Sequence, residues 1–588
     1  MPLIDYGGWY YLGTYQGMDI DYSHQLLSTT QKFIAVDIET ISLKDRTIIG
    51  IGISISPEHG WYFSWLKEGG LEEFPWHLME NPSVIKIMHN SMFDAPEIWQ
   101  QCGHRPIWPI LDSMIACTTF GLPGKLKTLA AALDLEKDDG SEIQDIEDVL
   151  PKGKTMLDIP EVITAEKCIW DVRTTHKLLL TILPEMDLDP YMEEMESIPI
   201  LIVAQGQGLA LDQREVNRWY LDLNQKIKFF RDYCEEEYSA NPGSSEQMAY
   251  ILGLRAEEYP DTFEHLRLKR RDKLLSEAMQ QKASFTLDKT TLKKMSDPLA
   301  AMVLSYRSVQ KQMGYVSPLR GLDRVYTHYH LLAATTRISS YKVGPEEIQA
   351  LNVPKHLRGM FLPDSGVFTS FDNSQQELRI LQYLSSDVAM GEVFSQATNL
   401  QHQCTNGQTK CEQCDIHLYT ALAMGVSRDP AKNTGYAMIY GGSDETIAET
   451  AGVPDLRLAH DLGIAWGNTF PQAMEYIMYS KDKAMQDGYV TTIGGRRIYL
   501  KEPDPDNPGE VAAVERTAVN YPIQGSGADV IKRQMRKVWG YGWNFKIPIH
   551  DELVMDGRYD IESKREELEN VVPGMTVPID VKYSATWA

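Results

Sequence analysis

The sequence predicts a multidomain α/β protein, because three stretches of the chain differ in their patterning. Residues 33–65 carry short apolar runs separated by turn residues, residues 195–320 are charged and amphipathic with few strand signals, and strands and helices mix again from about residue 325. At 588 residues the chain exceeds what one hydrophobic core organises, and roughly three to four domains are expected.

Taken in order, FIAVDI reads as a first strand and TIIGIGISIS as a second, and after the turn PEHG the run WYFSW reads as a third. VIKIM at Val84 to Met88 makes a fourth, after which helical patterns such as LKTLAAALDL take over until an α/β unit ends near Pro190. Long helices are expected between 195 and 320. No internal repeat is visible.

Composition narrows the classes. A hydrophobic fraction of 43% is ordinary for a globular protein, and no run of about eighteen apolar residues exists, so no membrane span is expected. The opening MPLIDYGGWYYLGTYQG lacks the basic-then-apolar order of a secretory signal, and seven Cys do not make a disulfide framework, so a reducing cytoplasm is expected. The excess of 82 acidic over 57 basic side chains, a net charge of −25, argues at face value against a nucleic-acid partner. Phosphate contacts nevertheless need only a local basic surface. The runs LRLKRRDKLL at Leu266 to Leu275 and KTTLKKM at Lys289 to Met295 are compatible with a DNA backbone and equally with solvated helix faces.

A first set of carboxylates begins with Asp37 and Glu39, whose i, i+2 spacing at the end of the first strand projects both side chains from one face. HNSMFD adds Asp94 after the fourth strand, and KCIWDVRTTHKLLL adds Asp171 on a helical pattern. Four converging carboxylates repel one another unless divalent cations neutralise them, and such a cage suits two hard metal ions that activate water against a phosphodiester. Each acid taken singly could equally be a surface residue. The order and context resemble the proofreading 3′–5′ exonucleases of the four-carboxylate type, which implies an RNase H-like fold, two Mg²⁺ ions and catalytic roles for Asp37, Glu39, Asp94 and Asp171. One departure is Lys167, where the family usually has a Tyr that orients the attacking water. An ammonium there can donate a hydrogen bond or compete with metal, so slow excision is expected.

A second set lies further on. VFTSFDNSQQELRIL at Val367 to Leu381 reads as an apolar strand ending at Asp372 and passing into a helix with Glu377 and Arg379. SRDPAKNTGYAMIYGG reads as a helix capped by Ser427 or Asp429, tolerating Pro430 in its first turn and stopped by Gly441 and Gly442. Arg428, Lys432, Tyr436 and Tyr440 recur every four residues, so one face carries two cations and then two rings. Cations suit a triphosphate and a ring suits a base, although a solvated basic face running into a buried aromatic one has the same pattern. In IPIHDELVMD, the acids Asp551 and Glu552 follow His550 between two apolar runs that read as hairpin arms; by itself this is only a polar turn.

These segments resemble motifs A, B and C of family A DNA polymerases, and the resemblance extends to AATTRISS (Ala333 to Ser340), DIH (Asp415 to His417), GYVTTIGGRRIYL (Gly488 to Leu500) and ERTAVNYPIQGSGADVIKRQM (Glu515 to Met535). It covers the chain from about residue 300 onward. The resemblance implies that Asp372 and Asp551 bind two Mg²⁺ ions, supported by Glu552, while His550 steadies the primer end. It implies that Arg428 and Lys432, with His417 beside them, neutralise the phosphates of a deoxynucleoside triphosphate. Tyr436 and Tyr440 would stack under the nascent pair, with Glu377 and Gln375 at the nucleotide. Arg337, Arg516, Asn520 and Gln524 would contact primer-template DNA.

Two departures carry expectations: Tyr436, where many bacterial relatives have Phe, predicts efficient use of dideoxynucleotides, and Asn373 and Gln376, which replace a common Tyr and Ile, allow an unusual base preference. By resemblance the chain divides into an exonuclease domain (1–190), a thumb (191–324), a first palm segment (325–390), fingers (391–514) and a second palm segment (515–588). A monomeric enzyme of phage DNA replication, without the upstream 5′-nuclease domain of some relatives, is the expected setting. A nuclease whose polymerase half only grips DNA, or a non-catalytic replication scaffold, would require a damaged carboxylate pair, whereas Asp372 and Asp551 are both present.

HQCTNGQTKCEQCDIH has no place in that pattern. Cys404, Cys411 and Cys414, with His402 as fourth ligand, could form a closed zinc site; free thiols or a labile disulfide are the alternatives.

Overall fold

The computed structural model describes residues 9–12, 32–66, 73–106, 108–135, 150–245, 247–249, 251–252, 287–293, 295, 297–342, 344, 346–399, 402–404, 410–453 and 455–587. The chain forms two compact units, one of residues 1–208, 327–344 and 368–583, the other of residues 209–326, 345–367 and 584–588.

In the first unit the N-terminal strands build a six-stranded mixed sheet. Phe33–Thr40 pairs antiparallel with Ile48–Ser56, which pairs antiparallel with His59–Ser64. On the other side Phe33–Thr40 runs parallel to Ile85–Met88, and that strand runs parallel to Ile110–Asp112. Trp9–Leu12 completes the far edge, parallel to His59–Ser64. All four strands read from the sequence are present; the two added edge strands have three and four residues, too short to show a period of two.

The helix Glu161–Ile182 lies against this sheet, and the glycines of the second strand explain how closely. A Cβ at Gly52 would come within 2.7 Å of Cys168 Sγ, so only glycine admits the helix at this separation.

A second, four-stranded sheet has the order Phe545–Ile549, Glu552–Asp556, Phe368–Asn373, Ile579–Ser584. The first two strands are the arms of the expected hairpin, and the second pairs antiparallel with Phe368–Asn373 in a register that sets Asp372 opposite Glu552. Leu378, Ile380 and Leu381 of the helix Gln376–Ser385 share a core with Val519, Ile523 and Val530 of the long helix Pro508–Gly540, and with Trp466, Phe470 and Ile477. A smaller core of Ala437, Ile447, Ala459 and Leu462 joins the helices Arg428–Ile439, Asp444–Ala451 and Leu456–Thr469. Fully buried Asp387 accepts hydrogen bonds from Met390 N (3.0 Å) and Ala473 N (3.2 Å), so one carboxylate satisfies the N-termini of Val388–Thr398 and Pro471–Asp487.

The second unit contains the long helices expected between 195 and 320. Gln213–Tyr238, capped by Asp212, and Pro298–Val316, capped by Asp297, bury Cys234, Leu299 and Val303 in a core with Met248 and Leu292. Leu209–Leu211 sits between Arg324–Val325 and Phe361–Leu362 in a short sheet. The basic run at 266–275 lies outside the described residues, whereas Lys289–Lys293 of the second run is a short helix. Among the described residues no helix is long and apolar enough to cross a membrane.

Candidate active site

The tight hairpin places the polymerase-type carboxylates. His550 adopts φ 54°, the left-handed conformation that lets the chain reverse between the two arms, and Asn373 N donates to Asp551 O at 3.0 Å, which fixes the turn against the end of the neighbouring strand. Asp372, Asp551 and Glu552 are all partly buried. Burial, followed by the charges of Asp551 and Glu552, pushes the Asp372 carboxyl up to about 6, with Lys582 opposing. Asp551 is also raised, mainly by burial, with Glu377 and Glu552 adding repulsion and His550 relieving it. An all-oxygen donor set held together against its own repulsion fits hard divalent cations such as Mg²⁺. Lys582 and Asp580, on the adjacent strand Ile579–Ser584, belong to this electrostatic environment and escaped the sequence reading, since nothing local marks a strand's charges as facing a distant hairpin.

The cationic helix is Arg428–Ile439. Ser427 occupies its N-cap position without a side-chain cap hydrogen bond, and Asp429 lies in its first turn. Tyr440 stands at the C-cap, one residue past the end, yet its ring still stacks on Tyr436 at 6.2 Å and 28°. The Tyr440 hydroxyl donates to Glu377 Oε2 at 2.6 Å, and Arg337 Nη2 donates to Glu377 Oε1 at 2.7 Å. Glu377 is thus engaged by one expected base-stacking residue and one expected DNA contact. Burial lifts the Tyr436 phenol to about 12, helped by Glu377 and Asp551, which places that ring in the field of the carboxylate pair. His417 is buried, 6.0 Å from the Tyr436 ring, and burial together with Arg428 and Lys432 lowers its pKa to about 4 despite Asp415.

Asp415, of the run DIH, carries no role in the sequence reading. It caps the helix Ile416–Met424 through His417 N (2.9 Å) and Leu418 N (3.0 Å), and it accepts from Arg428 Nη2 at 3.0 Å. Gln375 has φ 55° at the start of Gln376–Ser385. Arg516, Asn520 and Gln524 follow one another at four-residue intervals along Pro508–Gly540, therefore on one face. Arg516 is exposed beside Gly441, and Asn520 Oδ1 is buried without a hydrogen-bond partner among the described residues.

In the N-terminal sheet, Asp37, Glu39 and Asp171 converge, and Lys167 sits among them. Its ammonium donates to Glu39 Oε1 at 2.9 Å and to Asp171 Oδ2 at 2.6 Å. Burial raises Asp37 well above the carboxylate range, as do Asp171 and Glu39, while Lys167 and the Cys168 thiol pull it down. Burial likewise raises Glu39 against the pull of Lys167. Asp94 is buried, raised by burial and by Asp37, and its Oδ2 lacks a partner among the described residues. Although burial alone would depress the Lys167 pKa, Asp171, Glu39 and Asp37 hold it well above its ordinary value. The donor set fits a divalent cation, since Asp94 keeps an unmet acceptor, but any such ion meets an internal ammonium already paired with two of the four carboxylates.

Two residues here were missed in the sequence. Cys168 Sγ lies 3.7 Å from Asp37 Oδ2, and Asp112 accepts from Ser91 N at 2.6 Å and Asn90 N at 3.3 Å, pinning the start of the helix that carries Asp94. The first adjoins Lys167 in sequence; the second has only an N-cap pattern to mark it.

The chain is 28% identical to DNA polymerase I of Chloroflexus aurantiacus over 93% of its own length and 60% of that protein's. It is 26% identical to DNA polymerase I of Borreliella burgdorferi over 94% of its length and again 60% of the relative's. The chain therefore spans about three fifths of the length of these relatives. Its fold is similar, at a TM-score of 0.74 and 19% identity, to a structure described as the POL domain of Pol1 from M. smegmatis in complex with DNA primer-template and dNTP, covering 97% of this chain and 98% of that one. The family model for DNA polymerase family A matches residues 215–587, well over half of the sequence and the whole stretch that holds both aspartates and the cationic helix, so the chain belongs to DNA polymerase family A.

Proposed function

We propose that the chain is a template-directed DNA polymerase that extends a primer 3′ end with deoxynucleoside triphosphates, and that its N-terminal sheet carries a 3′–5′ exonuclease. The observation that carries the first part is the seating of Asp551 against the strand end that bears Asp372, beside a helix presenting Arg428 and Lys432. Asp372 and Asp551 would hold the Mg²⁺ ions, which when bound would lower the pKa of a 3′-hydroxyl and stabilise a leaving pyrophosphate. Arg428 and Lys432 bind and orient the triphosphate, and their positive charges offset what accumulates on its oxygens. Buried His417 stays neutral through the physiological range and acts there as a hydrogen-bonding group. Tyr436 and Tyr440 supply the surface for the incoming base, and Glu377, held by Tyr440 and Arg337, lies where a sugar 2′-substituent is tested. Arg516, Asn520 and Gln524 read primer-template shape from one helix face, as a copying enzyme requires.

The reading of the N-terminal centre rests on the convergence of Asp37, Glu39, Asp94 and Asp171 on a mixed sheet with a helix across it, as the resemblance leads one to expect.

Primer extension with Asp372→Asn is the decisive experiment. The substitution removes one anionic ligand while preserving shape, and extension should fall by at least about a thousandfold, roughly 4 kcal/mol of transition-state stabilisation. Excision of the primer 3′ end should persist. Extension at the unsubstituted rate would refute the assignment.

A further inference from the structure

The cluster of His402, Cys404, Cys411 and Cys414 stands apart from both carboxylate centres. Their ligand atoms all lie within 4.8 Å of one another. Cys404 Sγ to Cys414 Sγ and Cys411 Sγ to Cys414 Sγ are both 3.7 Å, and His402 Nε2 to Cys411 Sγ is 3.3 Å. Sulfurs 3.7 Å apart are not bonded, and all three cysteines are free. A regular tetrahedron with Zn–S bonds of about 2.3 Å has S···S edges of about 3.8 Å, and one Zn–N bond of about 2.0 Å gives an N···S edge of about 3.5 Å. Three edges of the four-atom set therefore match a zinc polyhedron to within a few tenths of an ångström, and the others are within 4.8 Å.

The backbone adds a second, independent observation. Cys411 N donates to Cys414 Sγ at 3.3 Å, and Cys414 N and Asp415 N both donate to Cys411 O, at 3.1 and 2.8 Å. The C-x-x-C segment is thus wound into a tight turn closed on Cys411 O, with the Cys411 amide donating to the Cys414 sulfur, a bond that favours a thiolate ligand there. The chain leaves that turn directly into Asp415, the residue that caps Ile416–Met424 and takes Arg428 at 3.0 Å.

We propose that His402, Cys404, Cys411 and Cys414 bind one structural Zn²⁺, and that this ion anchors Asp415 and through it the Arg428 guanidinium. Each thiol enters as thiolate and releases its proton to solvent, and His402 binds as neutral imidazole. No coordination position is left for substrate, so the ion is architectural. The link to Arg428 rests on the polymerase reading above; the metal site does not. Asp415 and Arg428 are positioning and binding groups, and the ion acts on nucleotide affinity rather than on the chemical step.

The test begins with metal content of the full chain purified without chelator, where one zinc per chain is expected. Replacement by Co²⁺ should give the thiolate charge-transfer and strong visible bands of a tetrahedral site. The double variant His402→Ala, Cys404→Ser should lose at least about nine tenths of the zinc and show a several-fold higher KM for deoxynucleoside triphosphates, with kcat within about twofold. In case that variant does not fold, mild chelation of the unsubstituted protein and re-addition of Zn²⁺ alone should raise and then restore KM. Protein free of zinc that does not take up Co²⁺ would overturn the site. Bound zinc whose removal leaves KM unchanged would overturn the coupling to Arg428. Should the unsubstituted protein extend no primer, the polymerase reading fails while the metal measurement still stands.

Discussion

Lys167 shows how one side chain sets the character of a site. Its ammonium links Glu39 and Asp171 from a position only 20% exposed, so it supplies internally part of the charge that cations would otherwise bring. Replacing it by Met leaves like charges uncompensated, and breaking a buried pair in this way costs about 3–5 kcal/mol. Lys167→Met should therefore unfold at lower temperature than the parent in EDTA, regain most of the loss with millimolar Mg²⁺ or Mn²⁺, and excise primer 3′ ends faster. Equal thermal shifts with metal for both proteins would show that the ammonium does not compete. At the proposed nucleotide site, Tyr436→Phe removes a hydroxyl, and losing one hydrogen bond of about 1.5 kcal/mol should cut dideoxynucleotide use about tenfold relative to deoxynucleotides. Single-nucleotide incorporation with both substrates measures it. The acids and the cationic face were legible because spacing along one strand or helix is local information. That an ammonium at 167 meets these acids followed from the resemblance alone, whereas its direct pairing with Glu39 was not local information, since 128 residues separate them and the packing of Glu161–Ile182 on the sheet brings them together.

The elements follow their local chemistry wherever they are long. The helix Arg428–Ile439 and the hairpin through His550 emerge from patterning and turn residues, while the short edge strands of the N-terminal sheet do not. The same helix Glu161–Ile182 buries His176 against the second strand, with Ser54 Oγ 3.0 Å from its Nδ1. The Ser54 hydroxyl donates its proton to Ser56 O at 2.9 Å, so it must accept from Nδ1–H. Burial lowers the His176 pKa from 6.5 to about 4. Between these values the unfolded chain holds a proton that the folded protein excludes, so this group's contribution to stability is present at neutral pH and is lost as pH falls from 6.5 toward 4. The loss is on the order of 3 kcal/mol. His176→Gln keeps a hydrogen-bonding amide without a titrating proton. Urea unfolding at pH 7 and pH 5 should show a smaller drop for the variant, and identical drops would remove His176 from the acid sensitivity.

At the scale of the whole unit, one carboxylate ties distant parts of the sequence together, and no reading of local pattern could have found it. Glu194, on the helix Leu188–Met195, is fully buried, and its Oε1 accepts from Lys532 Nζ at 2.5 Å and from Arg496 Nη2, partners 338 and 302 residues away. Lys532 also donates to Thr336 O at 2.6 Å, the residue before Arg337, whose guanidinium holds Glu377 at the proposed nucleotide site. The chain of contacts therefore runs from the N-terminal segment, through the long helix, to the pair Arg337 and Glu377. Such a buried cluster is costly to break from one side and cheap to replace as a whole, because a lone buried charge loses solvation without compensation whereas packed apolar groups lose nothing. Glu194→Gln leaves two cations with Asp529 as the buried carboxylate still acting on both, and should lower unfolding stability by about 3–5 kcal/mol. Because buried Asp529 also faces Arg496 and Lys532, the matching replacement is quadruple, Met at 194, 496 and 532 with Asp529→Asn, and it should recover most of that loss, a coupling far outside the additive range for independent sites. If the cluster also holds Arg337 in place, the quadruple variant, stable but without the Lys532 bond to Thr336 O, should extend primers more slowly than the parent despite its recovered stability. Full recovery of extension would confine the cluster to stability, and an undiminished stability of Glu194→Gln would show that it is not a tie at all.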